Sequence, residues 1–182
     1  MEKDIIMAGF GGQGVMLMGK LLSYAASEST ELHVTFFPSY GAEQRGGTAN
    51  CYVVLSDETV GSPMPRQADD LIVLNQTSLD KFASHLRPGG TLFINSSIVN
   101  RLPDRSDISV VSVPVTQLSI DMGNEKVLNV IMLGAFIGYT GIIPENVMLD
   151  TVLKKLGKKE SMIAVNKAAF LKGVELGRAA KL

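Results

Sequence analysis

Residues 4–14 read Asp-Ile-Ile-Met-Ala-Gly-Phe-Gly-Gly-Gln-Gly, and this stretch decides the fold that we expect. Its first five residues form a short apolar run typical of a buried strand, and the glycines that follow predict a tight turn. From Val15 onward the apolar residues take a helical spacing, with Val15, Met18 and Leu22 on one face. A strand, a glycine turn and a helix in this order open a parallel α/β unit.

The predicted turn suits an anionic ligand, because N–H groups at the start of a helix lack intrahelical partners and favour a phosphate. Gly9, Gly11 and Gly14 also match the G-x-G-x-x-G spacing of a dinucleotide-binding fold. That fold expects an acidic residue about 20 positions further on, whereas the second strand here ends in Phe36-Phe37-Pro38. Two interpretations stay open: dinucleotide binding, or glycines that only permit close packing. Gln13, a polar amide inside the turn, favours a group to be hydrogen-bonded.

The composition indicates one globular domain, which we expect to span residues 1–182. The chain is 46% hydrophobic with a formal net charge of −1, so it lacks the basic excess of a nucleic-acid-binding protein. No signal peptide is visible, and the longest apolar run, residues 130–143, is too short to span a membrane. Cys51 is the only cysteine, which excludes an iron–sulfur cluster held by this chain and an internal disulfide. We therefore expect a cytoplasmic protein without nucleic-acid or membrane partners.

A second pattern follows the first helix. Residues 32–37 and residues 48–56 both predict strands, and the polar loop between them is too short for a crossover helix. We therefore expect these strands to be antiparallel neighbours. If the first two strands of the chain are adjacent and parallel, both glycine-rich loops lie at the same carboxyl edge, where open α/β sheets bind ligands.

The loop itself carries groups suited to binding. Glu43 and Arg45 could form an ion pair that braces the loop, or Arg45 could bind a carboxylate or phosphate with its fixed donor fork. Gly46 and Gly47 beside it leave room for close approach, and Tyr40 could contact a ligand or a partner chain. A loop this rich in glycine, charge and an aromatic residue is typical of a functional loop.

The rest of the chain alternates strands and helices up to residue 113 and is helical afterwards, with one helix expected over residues 78–86 and a closing turn at residues 87–90. We therefore expect an α/β fold, a three-layer α/β/α Rossmann-like domain with a mostly parallel, mixed sheet. Asn75 and Asn95 end strands and could line the ligand edge, although ordinary capping is the favoured interpretation. Asn129, in the apolar helix near a pair of glycines, could satisfy a buried neighbour or contact a partner subunit.

No nucleophile–base pair, carboxylate dyad or metal-binding cluster emerges from the sequence, so we assign no catalytic residue and no metal ligand. Cys51 on a strand is expected to be a small core residue. By its own residues, the chain does not look like a complete enzyme.

Taken together, the two glycine-rich motifs resemble a known family. The turn at residues 9–14 resembles the G-x-G-G-Q-G opening of the γ subunits of 2-oxoacid:ferredoxin oxidoreductases. Residues 38–51 are similar to their second signature, P-S-Y-G-x-E-x-R-G-G-T-A-N-C, with Ala42 where many relatives have proline. The chain is most similar to the γ subunits of 2-oxoglutarate enzymes (KorC-type), with those of branched-chain 2-oxoacid enzymes next.

The resemblance implies a reaction that an assembly carries out. A 2-oxoacid is decarboxylated on thiamine diphosphate, its acyl group passes to coenzyme A as cosubstrate, and two electrons leave through [4Fe–4S] clusters to ferredoxin. The thiamine diphosphate, its Mg²⁺ and the clusters belong to α, β and δ-type partner subunits, and this chain binds none of them alone. The resemblance also implies a set of residues facing coenzyme A or the subunit interface: Gly11, Gly12, Gln13, Gly14, Ser39, Tyr40, Gly41, Glu43, Arg45, Gly46 and Gly47.

Three alternatives remain at this point. Within the family, the chain could serve a branched-chain 2-oxoacid or an indolepyruvate:ferredoxin oxidoreductase. It could be a free-standing NAD(P)-binding oxidoreductase, against which the missing acidic residue counts. It could also be a non-catalytic interaction module, since an apolar surface buried in a complex looks like core in the sequence.

Overall fold

The computed structural model describes residues 1–40 and 47–181, which form a mixed six-stranded sheet and six α-helices. The strands are β1 (Glu2–Phe10), β2 (His33–Tyr40), β3 (Thr48–Ser56), β4 (Ala68–Val73), β5 (Leu86–Asn95) and β6 (Ser109–Val113). The helices are α1 (Val15–Ser29), α2 (Gln76–Phe82), α3 (Val115–Asp121), α4 (Leu128–Thr140), α5 (Glu145–Leu156) and α6 (Glu160–Ala180). The α/β prediction is confirmed.

The strand order is β2-β3-β1-β4-β5-β6, with β1, β4, β5 and β6 parallel and β3 antiparallel to both of its neighbours. The predicted antiparallel pairing of β2 with β3 and the mixed sheet are confirmed. The expectation that β1 and β2 are adjacent is wrong, because β3 lies between them. All but one residue of β3 is buried whereas β2 is half exposed, so burial favours β3 in the interior and β2 at the edge. The carboxyl ends of β1 and β2 still share one edge of the sheet.

Helices cover both faces of the sheet, as the three-layer prediction requires. Alternate residues of β1 divide between the faces: Ile5 and Met7 join the core under α1, α4, α5 and α6, and Ile6 and Ala8 join a second core under α2. Phe93 of β5 contacts α4 edge-to-face, with its ring 5.3 Å from that of Phe136.

The helix expected over residues 78–86 is placed too late and runs too long. The observed helix α2 ends at Phe82, a 3₁₀ turn covers Ala83–His85, and β5 already begins at Leu86. The segment read as a closing turn instead starts the strand, because Arg87 bonds to Asp4 at 3.1 Å and to Asp69 at 3.0 Å. A register shift against β4 and a positive φ at Gly89 accommodate this irregular start.

The crossing of α4 and α6 is the closest helix contact of the fold, and four glycines make it possible. A Cβ at Gly134, Gly138, Gly173 or Gly177 would come within 3.0 Å of a backbone carbonyl oxygen of the facing helix. Residue numbers rise together along both helices, so α4 and α6 run parallel. The contact explains why α4 is apolar all round: it is buried between the sheet and α6. Among the helices in the described part of the chain, none combines the length and hydrophobicity that crossing a membrane requires.

Asp70 is a fully buried carboxylate at the opposite, amino edge of the sheet. Its Oδ2 lies 3.1 Å from Nζ of Lys3 on β1. Burial raises the pKa of the Asp70 carboxyl from 3.8 to about 6, and the Lys3 ammonium opposes part of that rise. The charged form is therefore the less favourable one in the folded chain.

We expect Gly173→Ala to lower the stability of the chain. Its Cβ would meet the carbonyl oxygen of Ile131, and overpacking of this kind costs about 1–3 kcal/mol, which the better helix propensity of alanine offsets in part. The midpoint of thermal unfolding checks this. Gly61→Ala is the matched control, since a Cβ there meets nothing within 4 Å, and an equal midpoint for both variants would contradict the argument.

We expect Asp70→Asn to stabilise the chain at neutral pH. Because the folded-state pKa is raised, the stability contributed by this group is fully present below the ordinary pKa of 3.8 and is lost as pH rises through about 6. Above about pH 7 the variant should therefore unfold at a higher temperature, with a free energy of unfolding larger by on the order of 3 kcal/mol, and the difference should vanish towards about pH 4. Unfolding midpoints of both proteins across this pH range measure the difference.

Asp107→Asn is the control, because Asp107 is exposed and Arg105 holds the pKa of its carboxyl below the usual range. This control should give no stabilisation at any pH. A pH-independent difference between Asp70→Asn and the unmodified chain would show that Asp70 does not titrate as the structure indicates.

Candidate functional site

The two sequence motifs meet at the carboxyl edge of the sheet. The backbone N–H of Gly11 donates a hydrogen bond to the carbonyl oxygen of Gly47 at 3.0 Å, which joins the first motif to the end of the second. Ser39 and Tyr40 end β2 at the same edge. Gly41, Glu43, Arg45 and Gly46 of the predicted site lie outside the described residues.

The turn between β1 and α1 has the backbone shape that its glycines predict. Gly12 and Gly14 have φ angles of 97° and 79°, in the left-handed region that favours glycine. A Cβ at Gly14 would collide with the side chain of Asn129, whose Nδ2 donates to the Gly14 carbonyl at 3.3 Å. A Cβ at Gly12 would meet nothing within 4 Å. The turn is therefore closely packed at Gly14 and open at Gly12, and buried Asn129 bonds a half-buried neighbour within the chain.

Gln13 braces the turn from within. Its Oε1 accepts from the Phe10 N–H at 2.7 Å and from Nδ2 of Asn75 at 3.0 Å, and its Nε2 donates to the Leu74 carbonyl at 3.2 Å. The sequence suggested an amide that hydrogen-bonds another group, and the structure provides those partners inside the chain. One side chain thus ties the end of β1 to the end of β4 and to the start of α2.

Two further amides extend this brace across the edge. Asn75 caps α2 through a 2.8 Å bond from the Ser78 N–H, and Asn95 donates to the Leu74 carbonyl at 3.3 Å and to the Thr116 hydroxyl at 2.8 Å. The favoured capping interpretation is confirmed for Asn75. The link between these amides and Gln13 was missed, although the sequence carries its signal: an asparagine follows or ends each of two successive strands.

The N-terminus of α1 differs from its neighbours at this edge. Gly14 offers no side-chain cap, and no acidic residue lies in the first turn of the helix. By contrast, Asn75 caps α2, and the Ser97 hydroxyl accepts from the Gln117 N–H in the first turn of α3. Among residues 1–40 and 47–181, the first turn of α1 thus has no capping side chain, and N–H groups and partial positive charge at such a helix start attract an anion.

Cys51 lies close to the start of α1, and its thiol is unreactive. It is fully buried, its Sγ lies 3.8 Å from the Val15 carbonyl, and burial raises the pKa of its thiol to about 12. The thiol stays protonated at physiological pH, so the expected role as a core residue is confirmed. Among the described residues, no cluster of three or more His, Cys, Asp or Glu side chains could hold a metal ion.

Exposed aromatic residues lie near the turn on both faces of the sheet, since Phe37 and Tyr40 are three residues apart on one strand. We define the aromatic corner as Phe10, Phe37 and Tyr40, whose exposed fractions are 38%, 38% and 72%. Phe37 packs on Tyr52 with ring centroids 6.5 Å apart. Phe37 and Tyr40 lie on β2, whose outer side has no strand paired to it among the described residues, and Phe10 ends β1. Exposed aromatic side chains on an edge strand are typical of a protein-contact surface.

Comparisons with known proteins bear on this architecture. Residues 4–176 match the family model described as pyruvate ferredoxin/flavodoxin oxidoreductase. The chain is 33% identical to the 2-oxoglutarate synthase subunit KorC of Methanocaldococcus jannaschii, over 98% of this chain and 95% of the relative. It is 35% identical to the ketoisovalerate oxidoreductase subunit VorA of Methanothermobacter marburgensis, over 97% of this chain. It spans only 37% of the length of that relative.

Two solved structures share the fold. The γ subunit of a keto/oxoacid ferredoxin oxidoreductase from Geobacter sulfurreducens superposes with a TM-score of 0.89 at 31% identity, covering 100% of this chain and 99% of that one. A 2-oxoglutarate:ferredoxin oxidoreductase from Magnetococcus marinus, solved with 2-oxoglutarate, coenzyme A and succinyl-CoA bound, also gives 0.89 at 26% identity. There the match covers 98% of this chain and 31% of the other. By its sequence and its structure, this chain belongs to the pyruvate ferredoxin/flavodoxin oxidoreductase family.

Proposed function

We propose that this chain is the γ-type subunit of a multi-subunit 2-oxoacid:ferredoxin oxidoreductase, and that its carboxyl edge forms the coenzyme A side of the active site. Family membership and the near-complete match to the KorC relative support the class. The observation that carries the coenzyme A assignment is the N-terminus of α1, uncapped and open at Gly12. Its N–H groups suit a phosphate of coenzyme A, and the Magnetococcus marinus enzyme, which shares this fold, was solved with coenzyme A bound.

The proposed reaction decarboxylates a 2-oxoacid, passes the acyl group to coenzyme A and transfers two electrons to ferredoxin. Thiamine diphosphate, Mg²⁺ and [4Fe–4S] clusters would belong to α, β and δ-type partner subunits. The single cysteine of this chain supports that division, since a cluster takes about four thiolate ligands. The unbridged thiol also suits a reducing cytoplasm.

Within this chain, we assign binding to the turn and to Tyr40 and Arg45, and positioning to Gln13. Both ends of the Gln13 amide are engaged inside the chain, so it acts by holding the turn in shape. The hydrogen bond between Gly11 and Gly47 supports the proposal that the second motif lies close to the ligand. A guanidinium such as that of Arg45 binds phosphate with two parallel hydrogen bonds.

We propose 2-oxoglutarate as the oxoacid. The KorC relative corresponds to this chain over nearly its whole length, whereas the VorA relative is far longer. Ketoisovalerate is the alternative, supported by the 35% identity to VorA. The free-standing NAD(P) interpretation loses support, because antiparallel β3 occupies the position beside β1 where a dinucleotide fold has a parallel strand ending in the acidic residue.

We further propose that the aromatic corner and the outer side of β2 contact a partner subunit of the same enzyme. This chain matches only 37% of the length of the VorA relative. It matches only 31% of the length of the Magnetococcus marinus chain. Both indicate that the domain works against a larger polypeptide. An exposed edge strand can accept a further strand through its free backbone groups.

In the assembled complex, we expect Arg45→Ala to raise the KM for coenzyme A by about tenfold while kcat changes little, because a contact made equally in ground and transition states affects binding alone. Initial rates with 2-oxoglutarate, ketoisovalerate and pyruvate at varied coenzyme A measure this and identify the oxoacid. Arg66→Ala is the control, since exposed Arg66 precedes β4 at the opposite edge of the sheet.

An unchanged KM for coenzyme A in Arg45→Ala and in Gln13→Ala, with assembly intact, would refute the coenzyme A assignment. Gln13→Ala should also lower the unfolding midpoint of the chain, because it removes three hydrogen bonds from the brace. Each such bond contributes about 1 kcal/mol.

We expect the double variant Phe37→Thr, Tyr40→Thr to lower the amount of partner subunits that copurify with this chain, because it removes two exposed aromatic contacts and keeps strand propensity. Co-expression of all subunits followed by affinity capture of this chain measures the effect. The control is Leu171→Gln, which removes an equally exposed apolar side chain from α6. Loss of partners in the control but not in the double variant would move the interface to α6.

A further inference from the structure

A cleft at the amino edge of the sheet, opposite the glycine turn, has no part in the proposed function. Its volume is about 510 Å³, which is within the range of small-molecule sites. Asp70 and Thr91 of neighbouring parallel strands form its floor, and residues 139–142 at the end of α4 form one wall. Met1, Lys3 and Lys181 complete the lining and form the rim, and the N-terminal ammonium of Met1 pairs with Asp57 outside the lining.

The floor of the cleft holds a charge that the described chain satisfies incompletely. Asp70 is 0% exposed, and its neighbours Lys3 and Thr91 lower the pKa of its carboxyl only in part, because neither gives it a well-directed hydrogen bond. The Lys3 ammonium is close enough to Oδ2 for an ion pair, at 3.1 Å. A buried carboxylate normally accepts several hydrogen bonds, because leaving its oxygens unpaired is costly. The floor is therefore suited to a ligand that donates hydrogen bonds or carries positive charge.

The wall of the cleft, like its floor, favours a positively charged group. Because α4 and α6 run parallel, both helices end at this edge, and their last carbonyl groups carry partial negative charge. No basic residue lies in the last turn of α4. The Arg178 guanidinium in the last turn of α6 pairs with Glu145 at 2.6 Å. A cation at the floor would thus face both the Asp70 carboxylate and the end of α4.

The rim of the cleft favours a negatively charged group instead. Lys3 and Lys181 bring two ammonium groups to the mouth of the cleft, where one is shared with Asp70. A simple cation would meet repulsion from these groups, and a simple anion would meet it from the floor. A ligand with one positive and one negative group a few bonds apart meets neither.

We propose that this cleft binds a small zwitterion of the α-amino acid type. The ligand ammonium takes the place of the Lys3 ammonium at the buried Asp70 carboxylate, beside the carbonyl end of α4, and the released Lys3 ammonium joins that of Lys181 at the ligand carboxylate. The Thr91 and Tyr139 hydroxyls are further polar groups of the lining, whereas the Thr140 hydroxyl already donates to the Phe136 carbonyl oxygen at 2.7 Å. The site is independent of the coenzyme A assignment, because it lies at the other edge of the sheet and shares no residue with it.

Thermal shift and isothermal calorimetry on the full-length chain test the proposal. The probes are L-alanine, L-valine and L-glutamate, with N-acetyl-L-alanine and L-alaninamide as comparators that lack the positive and the negative group. We expect at least one amino acid to raise the unfolding midpoint, since a ligand of the native state stabilises it. Each comparator should bind at least about tenfold more weakly than L-alanine.

Variants separate the site from non-specific effects. Asp70→Asn and Lys3→Met should each weaken binding of the stabilising amino acid by at least about tenfold. Asp107→Asn, which changes an exposed carboxylate outside the cleft, should leave affinity unchanged. The proposal fails if no amino acid binds at about 50 mM, where even a millimolar ligand stabilises measurably. It also fails if N-acetyl-L-alanine binds as well as L-alanine, or if Asp70→Asn keeps full affinity.

Discussion

The parallel crossing of α4 and α6 is the contact on which the rest of the structure depends. Four glycines let the two backbones approach so closely that a methyl group on any of them would overlap a carbonyl of the facing helix. This contact buries α4 on all sides and seats Phe136 against Phe93 of the sheet. Because close-packed interiors tolerate little added volume, the crossing fixes where both ends of α4 lie. Asn129 near its start packs on Gly14, and residues at its end form a wall of the amino-edge cleft.

The carboxyl edge depends on a second device, a chain of side-chain amides. Gln13, Asn75 and Asn95 join the ends of β1, β4 and β5, with the Leu74 carbonyl accepting from two of them. Buried amides of this kind are stable only when each donor and acceptor is paired. The Gly11 and Gln13 N–H groups of the turn bond to carbonyl oxygens within the chain, so the proposed ligand contacts fall to the first turn of α1. The proposed division of work follows: the brace sets the shape, and the N–H groups of α1 with the second motif bind coenzyme A.

The two edges of the sheet are electrostatically different. The carboxyl edge offers an uncapped helix N-terminus and thus attracts anions. At the amino edge, two parallel helices end near a buried carboxylate, and lysines line the rim of the cleft. Parallel strands and parallel helices make this difference unavoidable, because helix dipoles that point the same way add at each edge.

The sequence by itself determined the α/β class, the strand–turn–helix opening and the antiparallel pairing of β2 with β3, whereas its prediction that both motifs share one edge rested on an adjacency of β1 and β2 that is wrong. The first three follow from local periodicity, glycine chemistry and a loop too short for a crossover. Only the tertiary structure decided that β3 separates β1 from β2, that Arg87 draws the start of β5 forward, and that Gln13 turns inward to neighbouring strand ends. It also decided that Asp70 lies in a cleft under the end of α4. Each of these depends on residues far apart in the chain, whose charges and amides find partners only once the sheet and helices have packed.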